Sequence, residues 1–135
     1  MRLDDVKLIQ LPKFLDERGN LSFLQNNDQI PFTIKRIYWI YDVPGGDKRG
    51  GHAYKSMQEF IIALSGSFDV VLHDGNEQKV YTLNRSYYGL YVPKMIWRHM
   101  ENFSTNSLAL VVTDAFYEEE QYIREFDTFK SMIDA

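Results

Sequence analysis

The strongest constraint on this chain is its punctuation. Runs rich in β-branched and aromatic residues recur along it: Thr33 to Val43, Phe60 to Leu64, Phe68 to Leu72, Gln78 to Leu83, Tyr87 to Val92, Trp97 to Asn102 and Leu108 to Thr113. Turn-forming residues separate most of them, as at Ser65-Gly66-Ser67, His73-Asp74-Gly75-Asn76, Asn84 to Ser86, Pro93-Lys94 and Ser104 to Asn106. Val6 to Leu11 and Leu21 to Gln25 add two strands around the turn Asp16-Glu17-Arg18-Gly19-Asn20. Short strands at near-regular spacing specify a sandwich or small barrel. No internal repeat and no linker interrupts residues 1–135, so the pattern predicts one domain.

The character changes after Asp114. Tyr122-Ile123, Phe126, Phe129-Lys130 and Met132-Ile133 fall at helical spacings within Tyr117 to Ile133, which predicts one or two C-terminal helices. Glu118, Glu119 and Glu120 precede them and suit a helix start, where carboxylates complement the dipole.

Charge and composition narrow the partners. The net charge of −4 gives no basic excess, which argues against nucleic acid. Local arginines still suit a small anionic ligand, because guanidinium recognition does not depend on net charge. The chain has no cysteine, which removes thiolate chemistry and fits the cytoplasm. No apolar run approaches the roughly 20 residues of a membrane-spanning helix, so no membrane role is expected.

The chemistry-bearing residues gather around a glycine-rich, basic turn, Gly45 to Gly51. His52 and Tyr54 follow it two apart, hence on one strand face, with Arg49 at the mouth and Lys55 just beyond. Arg36 and Tyr38 likewise share a face of Thr33 to Val43, but both faces of that strand mix apolar and polar residues, so pattern alone leaves the inner face open. Trp97 and Arg98 point oppositely, and one of the two must face inward. Arg18 sits beside Gly19 in an early turn. His73 and His99 read as structural or solvated.

The spacing Gly46, five residues, His52-Ala53-Tyr54, four residues, Glu59, six residues, Gly66 resembles the first signature of the cupins, with Tyr54 at its second histidine. Pro93 and His99 give an imperfect match to the second signature. The resemblance implies a mostly β fold, a cupin or jelly-roll barrel with a short C-terminal helical segment. His52, Glu59 and His99 make a degraded ligand set, so no metal and no cofactor are expected.

A more specific likeness covers nearly the whole chain. Asp16-x-Arg18-Gly19-x-Leu21, Pro31-Phe32-x-Ile34-Lys35-Arg36-Ile37-Tyr38, Arg49-Gly50-x-His52-Ala53-x-Lys55, Leu90-Tyr91-Val92-Pro93 with Trp97, and Tyr122-Ile123-Arg124-x-Phe126-Asp127-x-Phe129 occur in order. Together they resemble the sugar-nucleotide 3,4-ketoisomerases, cupins of bacterial surface-polysaccharide synthesis. That resemblance implies a metal-independent movement of a carbonyl from C4 to C3 of thymidine diphosphate-4-keto-6-deoxyglucose. It also implies a homodimer exchanging N-terminal strands. His52 and Tyr54 become the catalytic candidates, and Arg18, Arg36, Tyr38, Arg49, Lys55 and Arg98 the substrate-binding ones. The family has histidine where Tyr54 stands. Two alternatives remain open at this stage: a non-catalytic sugar-nucleotide-binding cupin, and a metal-dependent enzyme built on His52, Glu59 and His99.

Overall fold

The structure, a computed structural model, describes residues 3–134. Two five-stranded antiparallel sheets face each other. The strands are β1 (Lys7–Gln10), β2 (Lys13–Phe14), β3 (Leu21–Ser22), β4 (Arg36–Tyr41), β5 (Arg49–Tyr54), β6 (Glu59–Ser65), β7 (Phe68–His73), β8 (Gln78–Leu83), β9 (Tyr88–Val92), β10 (Trp97–Glu101), β11 (Leu108–Thr113) and β12 (Tyr122–Ile123), followed by helix α1 (Phe126–Asp134). One sheet has the order β1-β9-β6-β11-β4, the other β12-β5-β10-β7-β8, and β2-β3 is a separate hairpin. This is the mostly β, jelly-roll-like barrel with a helical C-terminus that the strand pattern and the cupin resemblance together imply.

Apolar residues from the two inner faces fill the space between the sheets. Ile61, Ala63, Leu90, Ala109 and Val111 of one sheet pack with Phe68, Val70, Leu72 and Met100 of the other. Burying such side chains is the main stabilising term in a small sandwich. The β4 face that pattern left open is settled by this packing. Arg36, Tyr38 and Ile40 turn inward, while Ile37, Trp39 and Tyr41 are exposed on the outside.

The end of the chain differs from expectation. Tyr122 and Ile123 are not helical; they form β12 and pair with Tyr54 and Ala53 on the edge of β5. The helix begins only at Phe126, and Glu119 to Gln121 make a single 3-10 turn before the strand. The reason is non-local. β5 offers an unpaired edge, and Ile123 gains a buried place with Ala53 and Phe129. Edge pairing and burial outweigh a helical periodicity that begins too early. Trp97 packs on the same cluster, with ring centroids 5.5 Å from Phe126 and 6.0 Å from Phe129, which leaves Arg98 as the inward residue of that pair.

One glycine fixes the β6–β7 hairpin. Gly66 has φ +66°, and an added Cβ would come within 2.8 Å of the Ser107 Cα as well as overlapping the Ser104 hydroxyl. Both the left-handed backbone and the crowding by main chain oppose a side chain there. Gly66→Ala is expected to lower unfolding free energy by about 1–3 kcal/mol, read as a lower denaturant midpoint with an unchanged m-value.

Candidate active site

The two sheets diverge at one end and leave a cavity of about 470 Å³. Strand register explains which residues meet there. Arg98 on β10 lies directly opposite His52 on β5, and Tyr122 on β12 lies opposite Tyr54 on β5. Across the gap, Thr113 on β11 pairs with both Arg36 on β4 and Glu59 on β6, so those two side chains enter at one level. The cavity is thus walled by Arg36, Tyr38, Arg49, His52 and Arg98, joined by Tyr122 and Arg124.

His52 is 5% exposed, and its Nε2 has no hydrogen-bond partner. Buried polar atoms are nearly always partnered, so an unpartnered imidazole nitrogen on a cavity wall marks a place for a ligand. Burial, reinforced by the positive charges of Arg98, Arg124 and Arg36, depresses the His52 pKa to about 2. The imidazole is therefore held in its neutral form, the form in which a ring nitrogen can accept a proton.

Tyr54 does not line the cavity but lies immediately behind it. Its ring centroid is 4.7 Å from His52 and 4.9 Å from Tyr122. Its hydroxyl is 3.5 Å from those of Tyr38 and Tyr122, so it links the two phenols that do reach the cavity. Each end of this phenol row is held by a guanidinium. Arg98 Nη2 donates to Tyr38 Oη at 2.9 Å, and Arg36 Nη2 donates to Tyr122 Oη at 2.8 Å. Burial, with the nearby Glu59 carboxylate, pushes the Tyr54 phenol far above its ordinary value, and burial raises Tyr38 as well. Both are proton donors rather than bases.

The wall is electropositive although the chain is acidic overall. Among the described residues neither Arg36 nor Arg49 has a carboxylate partner, and Arg36 instead lies over the rings of Tyr38 and Tyr117. Guanidinium groups without a carboxylate partner, one of them (Arg49) next to a glycine, suit an anionic group such as a diphosphate. Arg124 is held by Glu119 at 2.7 Å.

Two predicted ligands do not join this cavity. Lys55 is exposed and contributes its backbone N–H to the Gln121 carbonyl. Arg18 sits at the tip of the β2–β3 hairpin, paired with Asp16 at 2.8 Å and 89% exposed. Both placements have one cause: turn residues sharing a motif are placed by the strands they connect, and those strands end elsewhere. Tyr122, Arg124 and Tyr117 were missed as site residues because the first two read as helix. The ligand set of a metal cupin does not assemble either. Glu59 is taken by Arg98 and His99 by Glu101, and among the described residues no group of three or more His, Asp or Glu is placed to hold a metal ion.

Comparison with known proteins now bears on this arrangement. Residues 4–134 match the model of the family described as FdtA: WxcM-like, C-terminal. The chain belongs to this family. A curated relative, the TDP-4-oxo-6-deoxy-alpha-D-glucose-3,4-oxoisomerase of Aneurinibacillus thermoaerophilus, is 40% identical over 127 residues, covering 94% of this chain and 91% of that one. A 3,4-ketoisomerase from Helicobacter canadensis superimposes with a TM-score of 0.94 at 42% identity, covering 97% of this chain and 98% of the other. A mutant of the 3,4-ketoisomerase QdtA from Thermoanaerobacterium thermosaccharolyticum, solved with TDP-4-keto-6-deoxyglucose, gives 0.95 at 32% identity over 98% and 96% of the two chains. The backbone thus superimposes on those of these solved ketoisomerases along nearly the full chain.

The depressed His52 pKa has a consequence for stability. In the unfolded chain the imidazole titrates near 6.5, and in the fold only near 2. Between these values the unfolded state binds a proton that the folded state does not, so stability falls as pH drops below about 6.5, by up to about 1.4 kcal/mol per pH unit. His52→Asn removes this term. Its melting temperature is expected to decline less steeply than that of wild type between about pH 6.5 and pH 5, above the carboxylate range. Parallel declines would show that His52 is not buried in its neutral form.

Proposed function

We propose that the protein moves the carbonyl of thymidine diphosphate-4-keto-6-deoxyglucose from C4 to C3, with His52 as the base. The observation that carries this reading is the buried, unpartnered Nε2 of His52, a residue that lines a cavity with phenols and guanidinium groups on its walls. The C3 proton is acidified by the adjacent C4 carbonyl. His52 Nε2 takes it, the C3–H electron pair forms the C3–C4 double bond, and the C4 oxygen becomes the anionic oxygen of an enediolate. The 3-hydroxyl then loses its proton as the C3 carbonyl forms, and C4 receives the proton held by His52. Atoms balance if one further proton passes from O3 to O4. The Tyr38–Tyr54–Tyr122 row supplies that path: Tyr38 or Tyr122 meets the sugar oxygens, and Tyr54 bridges them.

Arg36 and Arg98 keep both outer phenols supplied with a donor, so their own hydroxyl protons are free to turn toward a developing oxyanion. Arg36 and Arg49 receive the diphosphate. Its negative charge, and that of the enediolate, offset the three cations that depress His52, which makes the imidazole a better base once substrate is bound. Tyr54 in place of histidine fits this scheme as a neutral relay rather than a second base.

His52→Asn is expected to retain binding of the sugar nucleotide while its turnover falls by about 10²–10⁴-fold, the usual worth of a general base. Tyr54→Phe breaks the bridge and is expected to lower turnover with little change in KM, whereas Tyr54→His maintains it. NMR of the product formed from thymidine diphosphate-4-keto-6-deoxyglucose reads all three. Wild-type turnover by His52→Asn would remove the base from the scheme.

We further infer a two-fold homodimer working in the cytoplasm. Trp39 and Tyr41 are 57% and 60% exposed on the outer face of β4, and Phe14, Leu15 and Leu21 are exposed on the β2–β3 hairpin. β1 spends one edge on β9 and, as the last strand of its sheet, offers the other. A second copy covering these surfaces brings the hairpin of one subunit over its partner, which is the route by which Arg18 reaches a substrate. Sedimentation at micromolar concentration is expected to give twice the chain mass, and Trp39→Glu to shift it toward monomer; a monomeric wild type would refute the assembly. No helix among the described residues is long and apolar enough to cross a membrane.

A further inference from the structure

The strand that follows the His52 motif begins with Glu59, and the scheme above gives Glu59 nothing to do. Its surroundings do not suit an idle residue. Glu59 and Arg98 are each 1% exposed and form a two-pronged ion pair, Arg98 Nε to Oε1 at 2.5 Å and Nη2 to Oε2 at 2.9 Å. The remaining contacts of the guanidinium are also specific. Nη2 donates to the Tyr38 hydroxyl, and Nη1 donates to the Gly50 carbonyl at 3.2 Å. Four of the five N–H groups of an arginine are thereby committed, three of them on one side of the fork.

We propose that Glu59 is a positioning residue for the isomerisation: through Arg98 it fixes the Tyr38 hydroxyl so that its proton is presented to the sugar oxygens. The proposal rests on the ketoisomerase reading of the cavity.

Glu59 itself does not line the cavity, whereas Arg98 and Tyr38 do, so any influence it has on the substrate passes through them. A buried guanidinium without a carboxylate leaves an uncompensated charge and would be driven to rearrange. Fork-to-fork pairing removes that drive and also sets the plane of the group. Gly50 closes the remaining side. With φ +72° and no room for a Cβ beside Arg98 Nη1, it lets the main chain come up against the guanidinium and stops it sliding toward the cavity mouth. Arg98 is thus held from β6 and β5 while it projects from β10, and the Nη2 hydrogen not given to Glu59 goes to the Tyr38 oxygen.

The effect on Tyr38 is directional. Its oxygen already accepts from Arg98, so its hydrogen cannot point there. The alternatives are the Tyr54 hydroxyl, at a long 3.5 Å, and the cavity. A ligand oxygen at ordinary hydrogen-bond distance wins that competition. The groups facing Tyr38 are Arg98 of β10, Glu59 of β6, Tyr54 of β5 and, over its ring, Arg36 of its own strand. Burial raises the Tyr38 phenol, Arg98 lowers it and Glu59 offsets part of that lowering, so burial keeps the phenol protonated while the pair aims it.

A carboxylate that merely tied two sheets together would affect stability alone. Glu59→Gln, in the full-length protein with thymidine diphosphate-4-keto-6-deoxyglucose, separates the two roles. The amide keeps the size but removes the charge and sets an NH2 against a guanidinium N–H. Expected are a fall in kcat of at least about tenfold with KM changed less than about threefold, the signature of an interaction made in the transition state. The alkaline limb of kcat is expected to move to lower pH, because losing a negative neighbour eases ionisation of the phenol. Ultraviolet phenolate titration against a Tyr38→Phe control reads the same shift without turnover. Glu59→Asp, which keeps the charge but withdraws the fork, is expected to return the limb to its wild-type position while kcat stays low. If Glu59→Gln does not fold, Glu59→Asp alone decides, through lowered kcat at unchanged KM. A wild type that binds the sugar nucleotide but never isomerises it overturns the ketoisomerase reading. A wild type that turns over, with the variants holding kcat and the pH profile within about twofold or losing kcat and affinity together, overturns the role of Glu59 and leaves that reading intact.

Discussion

The Arg98–Glu59 pair is the constraint on which the active end of the barrel depends. It joins β10 of one sheet to β6 of the other where the apolar core meets the cavity. Leu72 of the packed interior is the strand neighbour of Arg98, and Val92 that of Glu59. Arg98 lines the cavity together with Arg36, Tyr38 and His52, and it touches Tyr38 directly. A pair of hydrophobic side chains of the same volume would hold two sheets together at least as well, since a buried ion pair returns little net stability. Breaking the pair by losing one member costs about 3–5 kcal/mol. What the pair contributes is therefore a fixed cation in a dry place, not strength.

That cation organises its neighbours by sign. It helps depress His52 so that the imidazole stays neutral, and together with Arg36 it faces the phenol row from both ends. Burial alone would push His52 down and Tyr38 and Tyr54 up, which is the division of labour an enolisation needs: a neutral imidazole close to protonated phenols. The same low polarity that makes each group poor at changing charge alone makes the proton transfers depend on one another. In the proposed scheme the imidazole holds a proton more readily once an anionic substrate sits beside it.

The barrel was legible in the sequence because each strand signal is local. Turn residues at Ser65-Gly66-Ser67 and His73-Asp74-Gly75-Asn76 lie between apolar runs, and the observed β6, β7 and β8 begin and end within a residue of where those signals put them. His52, Arg36, Tyr38, Arg49 and Arg98 were legible as a set through resemblance, and the structure gathers them on one cavity. What was not legible depended on partners remote in sequence. The inward face of β4 is decided by β11 and by the opposite sheet, not by the alternation of its own residues. Tyr122 and Ile123 read as helix until the free edge of β5 is known to be there to take them. Arg18 and Lys55 belong to the right motifs but to turns that the strands carry away from the cavity.

Arg18 also shows where the single chain stops being the right unit. The hairpin that carries it stacks Phe14 on Phe23, with ring centroids 6.1 Å apart, yet leaves Phe14, Leu15 and Leu21 exposed to water. A strand pair this short does not hold its shape on its own. Its apolar side chains and its guanidinium acquire a purpose together if another copy of the barrel lies beneath them. The cavity fits the same logic from the other side. Trp39 and Arg49 stand at its rim, and Trp39 continues onto the exposed outer face of β4. A surface that is apolar where it borders an electropositive cavity is suited to a neighbour that covers the one and completes the other. Assembly and substrate binding are then not separate properties of this fold, because the strand that exposes Ile37, Trp39 and Tyr41 outward is the strand that aims Arg36 and Tyr38 inward.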